Sequence, residues 1–125
     1  MSAPTIADRL RRRVVVLSPD PTLADQVAVG LGEGWEVERL EDPEALGEWH
    51  ELLLRRFLVL DLDGGVYDPL EVVERIRLEY QINLPVFCVG GDQVLRGEVI
   101  ASRADRALDR EAFLELLPKI AAQFA

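Results

Sequence analysis

The dipeptide Asp-Pro occurs three times at one point of a repeating pattern, at Asp20-Pro21, Asp42-Pro43 and Asp68-Pro69, each time shortly after an apolar run. An aspartate there can accept from the first free amides of a helix, and a proline in the first turn gives up only an N–H that has no helical partner. Each pair therefore marks a helix start. The residues behind them agree. Leu23, Val27 and Leu31 recur every fourth position, Leu46, Trp49 and Leu53 follow the second pair, and Val72, Val73 and Ile76 follow the third. Asp109 opens a last helix with Phe113, Leu116, Ile120 and Phe124 on one face, and a weaker helix is expected between Asp92 and Ser102.

The runs between these helices are short and β-branched: VVVL at 14–17, FLVL at 57–60 and VFCV at 86–89, with WEVERL at 35–40 as a strand nearer an edge and RAL at 106–108 as a fifth. Continuous apolar runs bounded by turn residues suit strands covered on both faces. Strands alternating with helices imply parallel pairing and right-handed crossovers, hence a doubly wound α/β sandwich. Residues 1–11 are expected to be a flexible lead-in and residues 12–125 one domain, a size that can bury a sizeable core.

The formal charge of −9 argues against nucleic acid as a partner, because binding a phosphate backbone needs a basic surface. One basic cluster, Arg9 with Arg11, Arg12 and Arg13, precedes the first strand and reads as a solvated lead-in or a small anion-binding patch. Cys88 is the only cysteine and sits in an apolar run, so it reads as a core residue in a reducing compartment. No apolar run is long enough to serve as a signal-peptide core or membrane span, so a cytoplasmic protein is expected. His50, the only histidine, reads as a partly exposed surface residue, and one His with one Cys signals neither a metal cage nor a Cys-His nucleophile.

In open parallel sheets, ligands bind beyond the carboxyl ends of the strands. That rule gathers Ser18, Pro19, Asp61, Asp63, Gly90 and Asp109 at one end of the molecule.

From about Arg12 onward the sequence resembles the response-regulator receiver domain family, whose fold is a (βα)5 flavodoxin-like three-layer sandwich. The segment DLDGGVYDPLEVVERIR carries the likeness, with Asp61 in the phospho-acceptor place and Asp68, Leu70 and Glu71 at the helix start; LPVFCVGG and SRADRALDREAF resemble the fourth strand and the segment after it. The resemblance implies an acidic pair holding Mg²⁺ after the first strand, where Ser18 and Pro19 stand here. It further implies a hydroxyl residue at Gly90, a switching aromatic at Ala107 and a lysine at Arg110. Lys119, the only lysine, lies too far along the last helix to replace it.

Of that machinery Asp61 alone remains, which describes a degenerate receiver, or pseudo-receiver. By this reading the chain is a bacterial signal-transduction module that binds a protein partner, independent of phosphorylation, with no cofactor and no catalytic activity. Val94, Leu95, Val99 and Ile100 are the candidate contact residues, with ordinary helix-to-sheet packing as the other reading of the four. Homodimerisation through the same face is an expectation from the family alone. A second reading keeps a phospho-accepting receiver at Asp61, with Mg²⁺ held by Asp20, Asp61 and Asp63. A remote third is a haloacid-dehalogenase-like phosphatase, with Asp61 as nucleophile, Asp63 as general acid and Mg²⁺ nearby.

Overall fold

The computed structural model describes residues 6–125. Residues 1–5 of the expected lead-in lie outside the described residues, and Ile6–Leu10, expected as part of it, forms a one-turn helix, α1. The five apolar runs become strands at the positions read from sequence: β1 (Arg12–Leu17), β2 (Trp35–Leu40), β3 (Phe57–Asp61), β4 (Val86–Val89) and β5 (Arg106–Leu108). All pairings are parallel, in the order β2-β1-β3-β4-β5, so β2 and β5 form the edges.

The three Asp-Pro pairs act as their chemistry requires. Asp20, Asp42 and Asp68 each accept from the backbone N–H two residues on, Thr22, Glu44 and Leu70, at 2.9, 2.9 and 3.0 Å. The first opens α2 (Pro21–Leu31). The third opens α4 (Pro69–Glu74), which widens at Arg75–Glu79 into a looser turn where Tyr80 N–H reaches Arg75 O at 2.8 Å.

The second crossover differs from expectation. It is a 3-10 turn, Pro43–Leu46, followed by the four-residue α3 (Trp49–Leu52). Gly47 divides them with φ +77°, and any side chain there would land on Glu51 Oε2. The break changes which residues face inward. Leu46 and Leu52 are buried, whereas Trp49 and Leu53, expected on the core face, remain 50% and 52% exposed.

Alternate strand residues feed two separate layers, as a two-residue period dictates. Val15, Leu17, Leu58, Leu60, Val86 and Cys88 pack towards the side carrying α3, α4 and α5 (Gln93–Ala101). Val14, Val16, Phe57, Val59, Phe87 and Val89 pack against α2 and α6 (Arg110–Phe124). On α6, Phe113, Leu117 and Ile120 are buried, while Leu116 and Phe124 are half-buried. Leu117 was not among the expected core residues, and it lies against Gly30 of α2 so closely that a Cβ on Gly30 would sit 2.5 Å from Leu117 Cδ1. Cys88 is a core residue as expected; burial, and secondarily the charge of Asp105, pushes its thiol up to about 12. Among the described residues, no helix is long and apolar enough to cross a membrane.

Candidate functional site

The carboxyl ends of β1, β3 and β4 bring Ser18, Pro19, Asp61, Asp63 and Gly90 together through the short loops that leave them. Asp61 ends β3 and is 5% exposed, and Ser18, directly after β1, is fully buried. Ser18 Oγ donates to Asp61 Oδ2 at 2.6 Å, across 43 positions of sequence. The other oxygen, Asp61 Oδ1, accepts from Asp63 N–H at 2.9 Å. Both oxygens of this buried carboxylate therefore have protein donors, as a buried polar group requires. Ser18 Oγ also accepts from Asp20 N–H at 3.0 Å, so one hydroxyl fixes both the acceptor carboxylate and the loop into α2.

Tyr67 was not foreseen as part of this site. Its hydroxyl lies 2.8 Å from Leu17 O and 2.9 Å from Asp61 O, with its proton directed at this pair of carbonyls. It thereby ties the ends of β1 and β3. Burial first, and then the charge of Asp61, raises the Tyr67 phenol well above its ordinary range. No local signal marks such a tyrosine, because both acceptors are main-chain atoms that any residue would supply.

Asp63 is exposed, yet its carboxylate is engaged: Oδ1 accepts from Gly91 N–H at 3.1 Å. It joins the loop after β3 to the loop after β4. Gly90 has φ +88°, and a side chain there would fall on Asp63 Oδ2. The space where the resemblance implies a hydroxyl residue is thus taken by a carboxylate from the neighbouring loop. Pro19 packs close to Gly64, where a Cβ would be 2.6 Å from Pro19 Cγ.

Arg110 opens α6 just after Asp109, whose carboxylate caps that helix through Ala112 N–H at 2.8 Å. The guanidinium turns to α2 instead of Asp61: Nη1 donates to Asp20 Oδ2 at 2.9 Å, Nε to Gln26 Oε1 at 2.9 Å and Nη2 to Thr22 Oγ1 at 3.1 Å. The Thr22 hydroxyl, and then Arg110, hold the Asp20 carboxyl down at about 2. Ala107, in mid-β5, is half-buried against the core and offers no ring to move. Lys119 lines a groove with Asp105 and Arg106, at the start of β5 and away from Asp61.

The divalent cation implied by the resemblance is tested by these donors. A hard cation takes several oxygens, usually carboxylates, with waters completing the shell. Here Ser18 presents a proton to Asp61 Oδ2, Asp20 is engaged with Arg110 and Thr22, and Asp63 with Gly91 N–H. Among the described residues, no group of three or more His, Cys, Asp or Glu is placed to hold a metal ion. The residues do not fit the cation.

The candidate contact surface is also redrawn. Val99 is fully buried and so unavailable as an apolar contact, Leu95 is half-buried against the core, and Val94 and Ile100 are 70% and 45% exposed. His50 is partly exposed, with Nδ1 3.4 Å from Glu48 Oε2.

No family model and no curated protein matches this sequence. Solved structures do match it. The signal receiver domain of a DNA-binding response regulator from Colwellia psychrerythraea 34H superposes with a TM-score of 0.72 at 19% identity, over 90% of this chain and 96% of that one. The BeF3-activated DrrB receiver domain gives 0.71 at 16% identity, over 92% and 97%. The Mn(2+)-bound form of response regulator Rcp1 gives 0.68 at 15% identity, over 89% and 92%. At these identities the likeness is one of fold, and the chain has the flavodoxin-like receiver fold.

Proposed function

We propose that this chain is a signalling module of receiver fold that recognises a protein partner without being phosphorylated, working in the cytoplasm and catalysing no reaction. The observation that carries the reading is the 2.6 Å hydrogen bond from Ser18 Oγ to Asp61 Oδ2. A carboxylate can attack a phosphoryl donor only if the repulsion between the two anions is relieved, ordinarily by a divalent cation and a lysine or arginine beside them. At Asp61 the neighbour is a neutral hydroxyl, and the nearby guanidinium of Arg110 is committed to Asp20.

The means of relaying a modification are absent as well. A group on Asp61 shifts a two-state surface only if it is held differently in the two states. Gly90 has no hydroxyl to follow it and Ala107 no ring to reposition. Partner recognition then rests on the surface as it stands, with Val94 and Ile100 of α5 the exposed apolar residues beside β5. A second copy of the chain is one partner this face would admit.

The test is an amide-resolved NMR titration with Mg²⁺ and beryllofluoride, a mimic of a phosphoryl group on aspartate, with Asp61→Asn as control. The expected result is no saturable shift that depends on Asp61. Saturable shifts lost in Asp61→Asn and spreading into residues 92–113 would overturn the proposal in favour of a phospho-accepting receiver.

A further inference from the structure

The divided second crossover leaves a groove at the β1 and β2 side of the sheet. Where an unbroken helix would lie over β1 and β2, the turn and α3 on either side of Gly47 leave a groove of about 320 Å³, lined by Arg13, Val15, Glu38, Leu40, Leu52 and Arg55 among others. Small-ligand sites span roughly 300–1,000 Å³, which puts this groove at the small end of that range. Core residues Val15 and Leu52 lie beneath it, and its accessible apolar surface comes from Leu40 and Leu54, both half-buried, and exposed Ala45.

Its charged side is uneven. Arg55 is tied to Glu38 at 2.8 Å, and Glu51 Oε2 accepts from Glu48 N–H at 3.2 Å. Arg11 pairs with Glu36 through Nε at 2.8 Å and through a second bond from Nη2. Arg13, on the strand face it shares with Val15, is half-buried and its side chain makes no hydrogen bond or ion pair with any described residue. Its charge acts on Glu36 only through space, a smaller influence than the Arg11 hydrogen bond that chiefly lowers that carboxyl. A guanidinium carries five N–H donors in a planar fork matched to an oxyanion.

We infer that this groove binds a small organic oxyanion with an apolar body, its head on the Arg13 fork and its body along Leu40, Ala45 and Leu54. The chemistry is shared by carboxylates and phosphate monoesters. The site lies under the α3 crossover, apart from Asp61, and stands whether or not Asp61 is ever modified. It gives the module a small-molecule input in place of a phosphoryl group.

Amide-resolved NMR on the full chain tests this with hexanoate and hexyl phosphate as probes, 1-hexanol as the uncharged body and acetate as the bare head. The expected result is saturable shifts at residues 13–15, 38–40 and 45–55 with at least one of the two amphipathic anions, and weaker responses to hexanol and acetate. Response to hexanoate alone or to hexyl phosphate alone identifies the head group. Arg13→Gln should weaken binding about tenfold or more, the loss of a charged hydrogen-bond donor. Arg12→Gln, from the opposite face of β1, should leave it unchanged, and Arg13→Lys should fall between. No saturable shift, an equal response to hexanol, or equal affinity in folded Arg13→Gln would overturn the inference.

Discussion

Arg110 Nη1 and Asp20 Oδ2 meet at 2.9 Å across 90 positions of sequence, fastening the head of α6 to the head of α2 beside the buried Asp61. The pair shapes the electrostatics of this end of the sheet, because it directs the Arg110 guanidinium away from the buried Asp61 carboxylate. Arginine suits that lateral role, since its fork reaches Gln26 and Thr22 at the same time.

The pair carries a pH signature. The folded Asp20 carboxyl lies at about 2, below its ordinary 3.8, so its contribution to stability is present above 3.8 and is lost as pH falls towards 2. Asp20→Asn removes that dependence. Thermal melts across this window at low salt should show a shallower fall in Tm for Asp20→Asn than for the parent protein.

Ser18→Ala leaves Asp61 Oδ2 buried without its donor and should destabilise the fold by about 1–3 kcal/mol in urea titrations. Ser18→Asp sets a second carboxylate against the first in a fully buried place, and like charges so near disfavour both ionised forms. It should melt below Ser18→Ala when divalent cations are absent. Added Mg²⁺ should raise the Tm of Ser18→Asp and leave the parent unchanged.

Restoring a hydroxyl after β4 should fail on its own. Gly90→Ser forces a side chain onto Asp63 Oδ2 at a backbone φ of +88°, and is expected to lower stability by about 1–3 kcal/mol. Gly90→Ser with Asp63→Ala removes the collision and keeps the backbone strain. Chemical denaturation should therefore show partial recovery in the double variant.

Gly30→Ala tests the helix contact on the other side of the sheet. Alanine favours a helix interior over glycine by about 1 kcal/mol. Here the added methyl meets Leu117 Cδ1 at 2.5 Å and Leu117 Cβ at 3.0 Å, and the second of these cannot swing aside. Overpacking should dominate, with a net loss of about 1–2 kcal/mol measured by urea unfolding.

Much of the fold was legible because its signals are local. Asp-Pro pairs place helix starts, and continuous apolar runs and 3.6-residue spacings place strands and helices without knowledge of the partner. Where one local feature overrode another, the reading slipped. Gly47 was a sharper breaker than the Leu46, Trp49 and Leu53 spacing was a helix former, so Trp49 and Leu53 ended exposed. Val94, Leu95, Val99 and Ile100 divide between packing and exposure, since a short apolar stretch does not reveal which of its residues a helix turns inward.

At the site, that Ser18 and Pro19 bring no carboxylate was readable from the residue types alone. What Ser18, Tyr67 and Arg110 do instead was not. Each reaches across the fold, over 43, 50 and 90 positions, to atoms that no spacing rule identifies.

The contact between Gly30 and Leu117 also sets an order of events during synthesis. The layer on that side of the sheet is built from α2 near one end of the chain and from Phe113, Leu117 and Ile120 near the other. As the polypeptide leaves the ribosome, Val14, Val16, Phe57 and Val59 have only α2 over them on that side until residues 113–120 emerge. The opposite layer draws on segments that come out sooner, with Val99 and Ala104 the last buried residues it needs. A nascent chain that has cleared the ribosome only as far as residue 105 would thus be half-roofed, one flank of its sheet packed and the other covered by α2 alone and accessible to chaperones.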